Sequence, residues 1–145
     1  MHKAMLSSVE GKKKGENKIA LFNMNLLVSS QQVAHRQSLL TNALKEYKKS
    51  NEDAKAVIIL HWGDEYETIH NQSQEEIAKS LADSGADVVV GHHPHVVQDT
   101  MRFGNCPVYY SLGNLIFDHN KMAKHKSSLL EISLKNGKMK TSLHE

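Results

Sequence analysis

Two short apolar runs, each ending on histidine, set the architecture of this chain. Ala56-Val57-Ile58-Ile59-Leu60 runs into His61, and Asp87-Val88-Val89-Val90 runs into Gly91-His92-His93-Pro94-His95. A continuous β-branched run, in place of an alternating one, marks a strand buried on both faces, as in a parallel sheet covered by helices. Between the two runs lies a helical stripe of Ile77, Ala78, Leu81 and Ala82. Such a stripe has to pack on a sheet face to leave water. Ser73 and Glu76 have the spacing of a capping box that starts this helix, and Gly85 is placed to end it.

The flanking segments extend the pattern. Residues 19–22 read as a short buried strand, residues 23–30 as a connection, and residues 31–50 as a helix with Val33, Leu40, Leu44 and Tyr47 on one stripe. Residues 51–55 form a polar break. Residues 108–111 form a further strand, followed by a turn at Gly113-Asn114. Leu130, Ile132 and Leu134 alternate with polar residues, and Asn136-Gly137 supplies the two-residue turn of a C-terminal β-hairpin. Strands alternating with helices predict a layered α/β domain. Residues 1–17 are rich in Lys, Glu and Asn and read as a mobile polar lead-in.

Composition excludes several classes of function. The length of 145 residues suits one domain or part of a larger one, and the net charge is only +2. A nucleic-acid binder concentrates basic residues on one face; here they cluster only at Lys12, Lys13 and Lys14, which read as a solvated tail. Cys106 is the one cysteine, so no internal disulfide can form, and beside Pro107 it reads as a small buried hydrophobe. Charged residues interrupt every early apolar run, so no signal peptide is expected. The longest apolar runs fall far below the ~20 residues of a membrane span. As written, the chain reads as cytoplasmic, with neither export signal nor anchor.

Ten histidines are many for this length, and most crowd between His61 and His125. In an open α/β sheet, ligands bind outside the carboxyl ends of the strands. If the two histidine-ended strands are neighbours, His61, His93 and His95 face one crevice. Neutral imidazole donates a lone pair to zinc, manganese or iron, so these three are candidate metal ligands. Gly91 allows a close turn before them, and Pro94 biases His93 toward an extended backbone. Trp62, Glu65, Tyr66, His92, Ser111 and Asn114 are candidates for contacting a substrate, with Trp62 and Tyr66 as crevice walls and His92 in a supporting position. Asp64 and Glu65 are open to three readings: acid–base groups, ligands, or a polar loop beside a helix cap. His2, His35, His70, His119, His125 and His144 read as surface residues. Ser111 has no histidine–acid partner pattern and is not read as a nucleophile; catalytic residues stay unassigned.

The ordered motifs His61-Trp62-Gly63, Glu65-Tyr66, Gln74, Gly85-Ala86-Asp87, Gly91-His92-His93-Pro94-His95-Val96, Gln98, Tyr110-Ser111-Leu112-Gly113-Asn114 and Phe117-Asp118 resemble the bacterial capsule-synthesis CapA family. These are the poly-γ-glutamate capsule proteins, of the calcineurin-like metallophosphoesterase superfamily. The resemblance runs from about residue 19 to about residue 134. It implies a metallophosphoesterase-like α/β/β/α domain with a divalent metal, or two, at the strand ends. By that mapping His61 and His93 bind one metal and His95 the other, with His92 as an insertion in the Gly-His-x-His element.

The departures from the family pattern have chemical consequences. The family's Gly-Asp strand end, Asn-Leu-Glu segment and Asn-Asn-His element have no counterpart in the sequence. The resemblance assigns them the bridging carboxylate, an amide ligand and the catalytic histidine. Prolines common in the family are replaced by His70 and Asp99. The expectation is therefore the C-terminal half of a CapA-type domain over residues 18–145, incomplete and inactive alone. A completing chain and the capsule polymer or its synthesis machinery are the implied partners, and family members are typically membrane-anchored outside the cytoplasm. The alternatives are a non-catalytic remnant and a module that binds a polyanion.

Overall fold

The computed structural model describes residues 5–9, 18–115 and 126–144. Phe117-Asp118, His2, His119, His125 and Lys12 to Lys14 lie outside the described residues. Eight strands and two helices run in the order β1 (Met5–Val9), β2 (Ile19–Asn25), α1 (Ser30–Ser50), β3 (Lys55–His61), α2 (Gln72–Asp83), β4 (Val88–His92), β5 (Thr100–Phe103), β6 (Cys106–Tyr109), β7 (Leu129–Lys135) and β8 (Lys138–His144). The first six strands form one sheet of order β1-β2-β3-β4-β6-β5. Its four central strands are parallel, and the edges β1 and β5 pair antiparallel.

The two apolar runs are the central neighbours β3 and β4, and their register sets His61 directly beside His92. Right-handed crossovers through α1 and α2 place both helices on one face of the sheet, where they touch each other. Alternation along the strands decides what each face buries. Ala56, Ile58, Leu60, Val89, Val108 and Tyr110 point into the core with Leu40 and Leu44 of α1 and Ile77, Ala78 and Leu81 of α2. The opposite face carries Val57, Ile59, Val88, Val90, Pro107 and Tyr109. The β7–β8 hairpin lies on that side, tied by a 2.7 Å hydrogen bond from the Tyr109 hydroxyl to Thr141 Oγ1. The described residues thus build three layers: helices, main sheet and hairpin. The hairpin turn is formed by Asn136 and Gly137, both at positive φ (52° and 73°), as the Asn-Gly pair predicts.

Several details differ from the sequence reading. Part of the expected mobile lead-in, Met5–Val9, is an edge strand on β2. β2 runs on to Asn25, into the expected connection. Thr100–Phe103 is a strand that the sequence did not suggest. The capping box of α2 is made by Asn71 and Gln74, each side chain bonding the other's backbone N–H at 2.9 Å, and not by Ser73 and Glu76. Gly85, at φ +102°, follows the end of α2 as expected. Among the described residues, no helix is long and apolar enough to cross a membrane.

Candidate metal centre

The histidines gather where β3 and β4 end. Trp62 N–H donates to the His92 carbonyl at 3.1 Å, which continues the ladder one residue past His61. Beyond that point the chains part into two loops, residues 63–71 and 93–99. Tyr66 N–H donates to the Pro94 carbonyl at 2.8 Å and Asp99 N–H to the Thr68 carbonyl at 3.2 Å. The buried Gln98 side chain donates to the Glu67 and Ile69 carbonyls at 3.0 and 3.3 Å, and it accepts from buried Gln74 at 3.0 Å. Buried amides with full partner sets hold loops in one geometry, because each lost bond leaves a desolvated polar group. Gly63 is required beside this network: a Cβ there would meet the Gln74 side chain at 2.7 Å, and its φ is +83°.

The stapled loops present Glu65, His93 and His95 to one point, with one ligand atom of each within 4.8 Å of the others. Among the described residues this is the one group of three or more His, Cys, Asp or Glu side chains so arranged. The His61 ring lies against that of His93, with centroids 4.8 Å apart. His93 and His95 both have positive φ, 113° and 64°. This corrects the expectation that Pro94 would leave His93 extended. Such a backbone is strained for a residue with a Cβ, and strain of this kind collects where side chains must be aimed at a ligand.

Hydrogen bonds orient three of the rings. The Asn114 side-chain oxygen only accepts, so His95 Nδ1 donates to it across 3.1 Å. The Nε2 atom of His95 then lies on the side of Glu65, 4.0 Å from Oε1. His61 and His92 share a hydrogen bond between their Nδ1 atoms at 2.9 Å; one must donate, so the neutral rings take opposite tautomers. Burial, then the charges of His93 and His95, hold His61 below the ordinary histidine pKa. Burial, then His61 and His93, do the same for His92. Both rings therefore favour the neutral state that can ligate or accept. His92 supports His61 directly, by ring contact.

Donor chemistry and spacing fit one divalent ion. Ligand atoms ~2.1 Å from a tetrahedral ion stand about 3.4 Å apart, so modest side-chain rotations would close the Glu65, His93 and His95 set. Tyr66, 52% exposed, sits with its ring 6.0 Å from that of His95.

Other candidates have different places. Trp62 is buried in the core: its indole N–H crosses Gly91 to donate to the Tyr110 carbonyl at 3.0 Å. Ser111 is buried, and its hydroxyl accepts from Gly113 N–H at 3.3 Å in the turn that follows β6. Asp64 accepts from Asn71 at 2.6 Å and braces the helix cap. His70 is no surface residue. It is 11% exposed, stacks on Tyr110 at 3.9 Å and 7°, and bonds Asp99. His35 and His144 are exposed as read. Cys106 is buried, and burial pushes its thiol up to about 12. The sequence signal missed was the Gln74–Gln98 pair, whose two members stood in the motifs without a visible partner.

Fold and site together define a layered α/β protein with a histidine-lined centre at the carboxyl ends of parallel strands. The family model described as bacterial capsule synthesis protein PGA_cap matches residues 3–119, and the chain belongs to that family. The match begins well before residue 19, where the motif resemblance starts. The chain is 40% identical over 92 residues to the capsule biosynthesis protein CapA of Bacillus anthracis, covering 63% of this chain and 22% of that protein. It is 39% identical over 79 residues to the PGA biosynthesis protein CapA of Bacillus subtilis, covering 54% of this chain and 21% of that protein. A probable polyglutamine synthesis accessory protein of Mycobacterium tuberculosis is 27% identical over 79 residues, 54% of this chain and 21% of its own length. The matches thus span about a fifth of the length of these curated relatives.

Proposed function

We propose that this chain supplies the histidine side of a divalent-metal centre in a capsule-synthesis protein of the metallophosphoesterase-like type. The convergence of Glu65, His93 and His95, backed by His61, carries this reading. His93, His95 and Glu65 would hold the ion, with His61 beside His93. Asn114 orients His95, and His92 orients the His61 ring through the Nδ1 contact. A bound zinc, manganese or iron would act as a Lewis acid on a phosphoryl or carbonyl oxygen. A two-metal centre needs a carboxylate shared between the ions. The described cluster offers Glu65 alone, so the second ion and the reaction itself depend on groups outside the described residues. The ligand of the complete protein is the glutamate polymer of the capsule or its synthesis machinery, a reading supported by the names of the relatives.

The test is the metal content of the purified chain beside a His93→Ala, His95→Ala variant. About one zinc or manganese ion per chain, lost in the variant, is expected from this donor set. Equal metal in both proteins, or none in either after zinc or manganese is added, would sink the proposal.

A further inference from the structure

The His70 ring is held between three elements, by groups that the metal centre does not use. Its Nδ1 faces the Asp99 carboxylate at 2.8 Å, at the end of the loop of His93 and His95. Its Nε2 faces the Glu75 carboxylate at 3.4 Å, in the first turn of α2. The ring lies on that of Tyr110, with centroids 3.9 Å apart, and Tyr110 is fully buried beneath it. The ion partners of the ring are these two carboxylates. Asp64 and Glu67, on the same loop as His70, are exposed. On β5, Arg102 is turned to the Asn105 carbonyl.

A carboxylate on each ring nitrogen calls for a proton on each. An imidazolium donates to both. A neutral ring has one N–H, so one carboxylate then faces a lone pair. With the proton on Nδ1 that carboxylate is Glu75; with the proton on Nε2 it is Asp99, at the shorter distance. Charge-assisted hydrogen bonds are roughly twice as strong as neutral ones, and a cation over an aromatic face is attracted to it. Burial, then the charges of Glu75 and Asp99, push the Tyr110 hydroxyl up, so that group stays neutral and bonds Met101 Sδ at 3.6 Å.

We propose that His70 is a pH-operated latch on the two loops of the candidate metal centre, closed by its imidazolium and slackened as the ring loses its proton. The charged ring ties the loop of Glu65, the loop of His93 and His95, and the start of α2 to one another. The neutral ring keeps only one of its two carboxylates. Between the latch and the metal donors lie the bonds from Tyr66 N–H to the Pro94 carbonyl and from Asp99 N–H to the Thr68 carbonyl. The sign follows from the chemistry: the contribution is present where the ring is charged and is lost as pH rises through its titration. Carboxylates stay ionised over the range in which histidine ordinarily exchanges its proton. The latch itself needs no metal; its effect on how the donors are held rests on the metal-centre reading above.

The experiment follows amide hydrogen exchange and the His70 ring nitrogens of the whole chain by NMR, from about pH 5 to about pH 8, with a chelator present. Exchange rates are corrected for their intrinsic dependence on pH. The reporters are the amides of Tyr66, His70 and Asp99, whose hydrogen bonds cross between the loops. Their protection is expected to fall about tenfold as the His70 ring titrates. In His70→Gln, which is neutral throughout, the fall should shrink to less than about twofold. Glu75→Gln, at an exposed position, offers an N–H to the neutral ring and should flatten the profile as well; circular dichroism verifies the fold of both variants. A His70 ring that holds one protonation state across the range would refute the latch. So would unchanged protection while the ring titrates, or an equal fall in His70→Gln, which would assign the pH dependence to the other histidines. With metal withheld, each of these outcomes is independent of the metal-content test.

Discussion

His70 and Asp99 hold each other across the two site loops. The Asp99 carboxylate accepts the His70 backbone N–H at 2.9 Å and faces the His70 ring Nδ1 at 2.8 Å, while that ring lies flat on Tyr110. A side-chain clasp thus joins the two loops.

The clasp joins the loop of Glu65 to the loop of His93 and His95, so its loss should loosen both. Asp99→Ala is expected to cost about 1–2 kcal/mol, since it strands a backbone N–H and a ring nitrogen. His70→Ala should cost a similar amount, and the double variant should cost less than the sum. Urea unfolding of the four proteins measures this. Full additivity would show that the two side chains do not act as a pair.

Gly91 has no room for a side chain. A Cβ there would lie 2.0 Å from the Tyr110 carbonyl oxygen and 2.1 Å from Trp62 Nε1, the two partners of a buried hydrogen bond. Gly91→Ala is expected to destabilise the fold by about 3 kcal/mol or more, because backbone and indole would both have to move. It should also lower metal occupancy, as the displaced strand end carries His93 and His95. A thermal melt matching the parent's would contradict the packing described for Trp62.

Asp87 sets the acid limit of stability in this part of the fold. Burial pushes its carboxyl up, but hydrogen bonds from Lys48, from Ala56 N–H and from Lys55 outweigh that and hold it below its ordinary 3.8. A carboxylate whose pKa falls on folding adds stability that is fully present above its unfolded pKa, and that stability is lost as pH falls through the folded value. The parent should therefore lose stability steeply below about pH 4. Asp87→Asn should be less stable at neutral pH and less sensitive to acid. Melting temperatures from neutral pH down through the acid range check both, and parallel curves for the two proteins would assign the acid loss to other groups.

Much of the fold was legible because strong local signals agreed with the global one. The β-branched runs of β3 and β4, the stripe of α2 and the Asn136-Gly137 turn each favour one local structure. The edge strands β1 and β5 were not legible: an edge strand pairs on one side only, so it carries little apolar pattern. The α2 start was misplaced because Asn71-x-x-Gln74 and Ser73-x-x-Glu76 are both workable boxes. The Asp64–Asn71 bond and the loop staples favour the first.

The sequence by itself determined that histidines would crown two parallel strands, since apolar runs of that length must be buried and leave the next residue at the sheet edge. His93 and His95 were named from the sequence; that Glu65 joins them was decided by the tertiary structure. The Gln74–Gln98 and His70–Asp99 contacts, between residues 24 and 29 positions apart, bring Glu65 to His93 and His95. They also help hold the His93 backbone at φ 113°, outside the left-handed region that histidine visits. Buried polar contacts between distant segments act only after the chain has folded, so no local pattern in the sequence announces them.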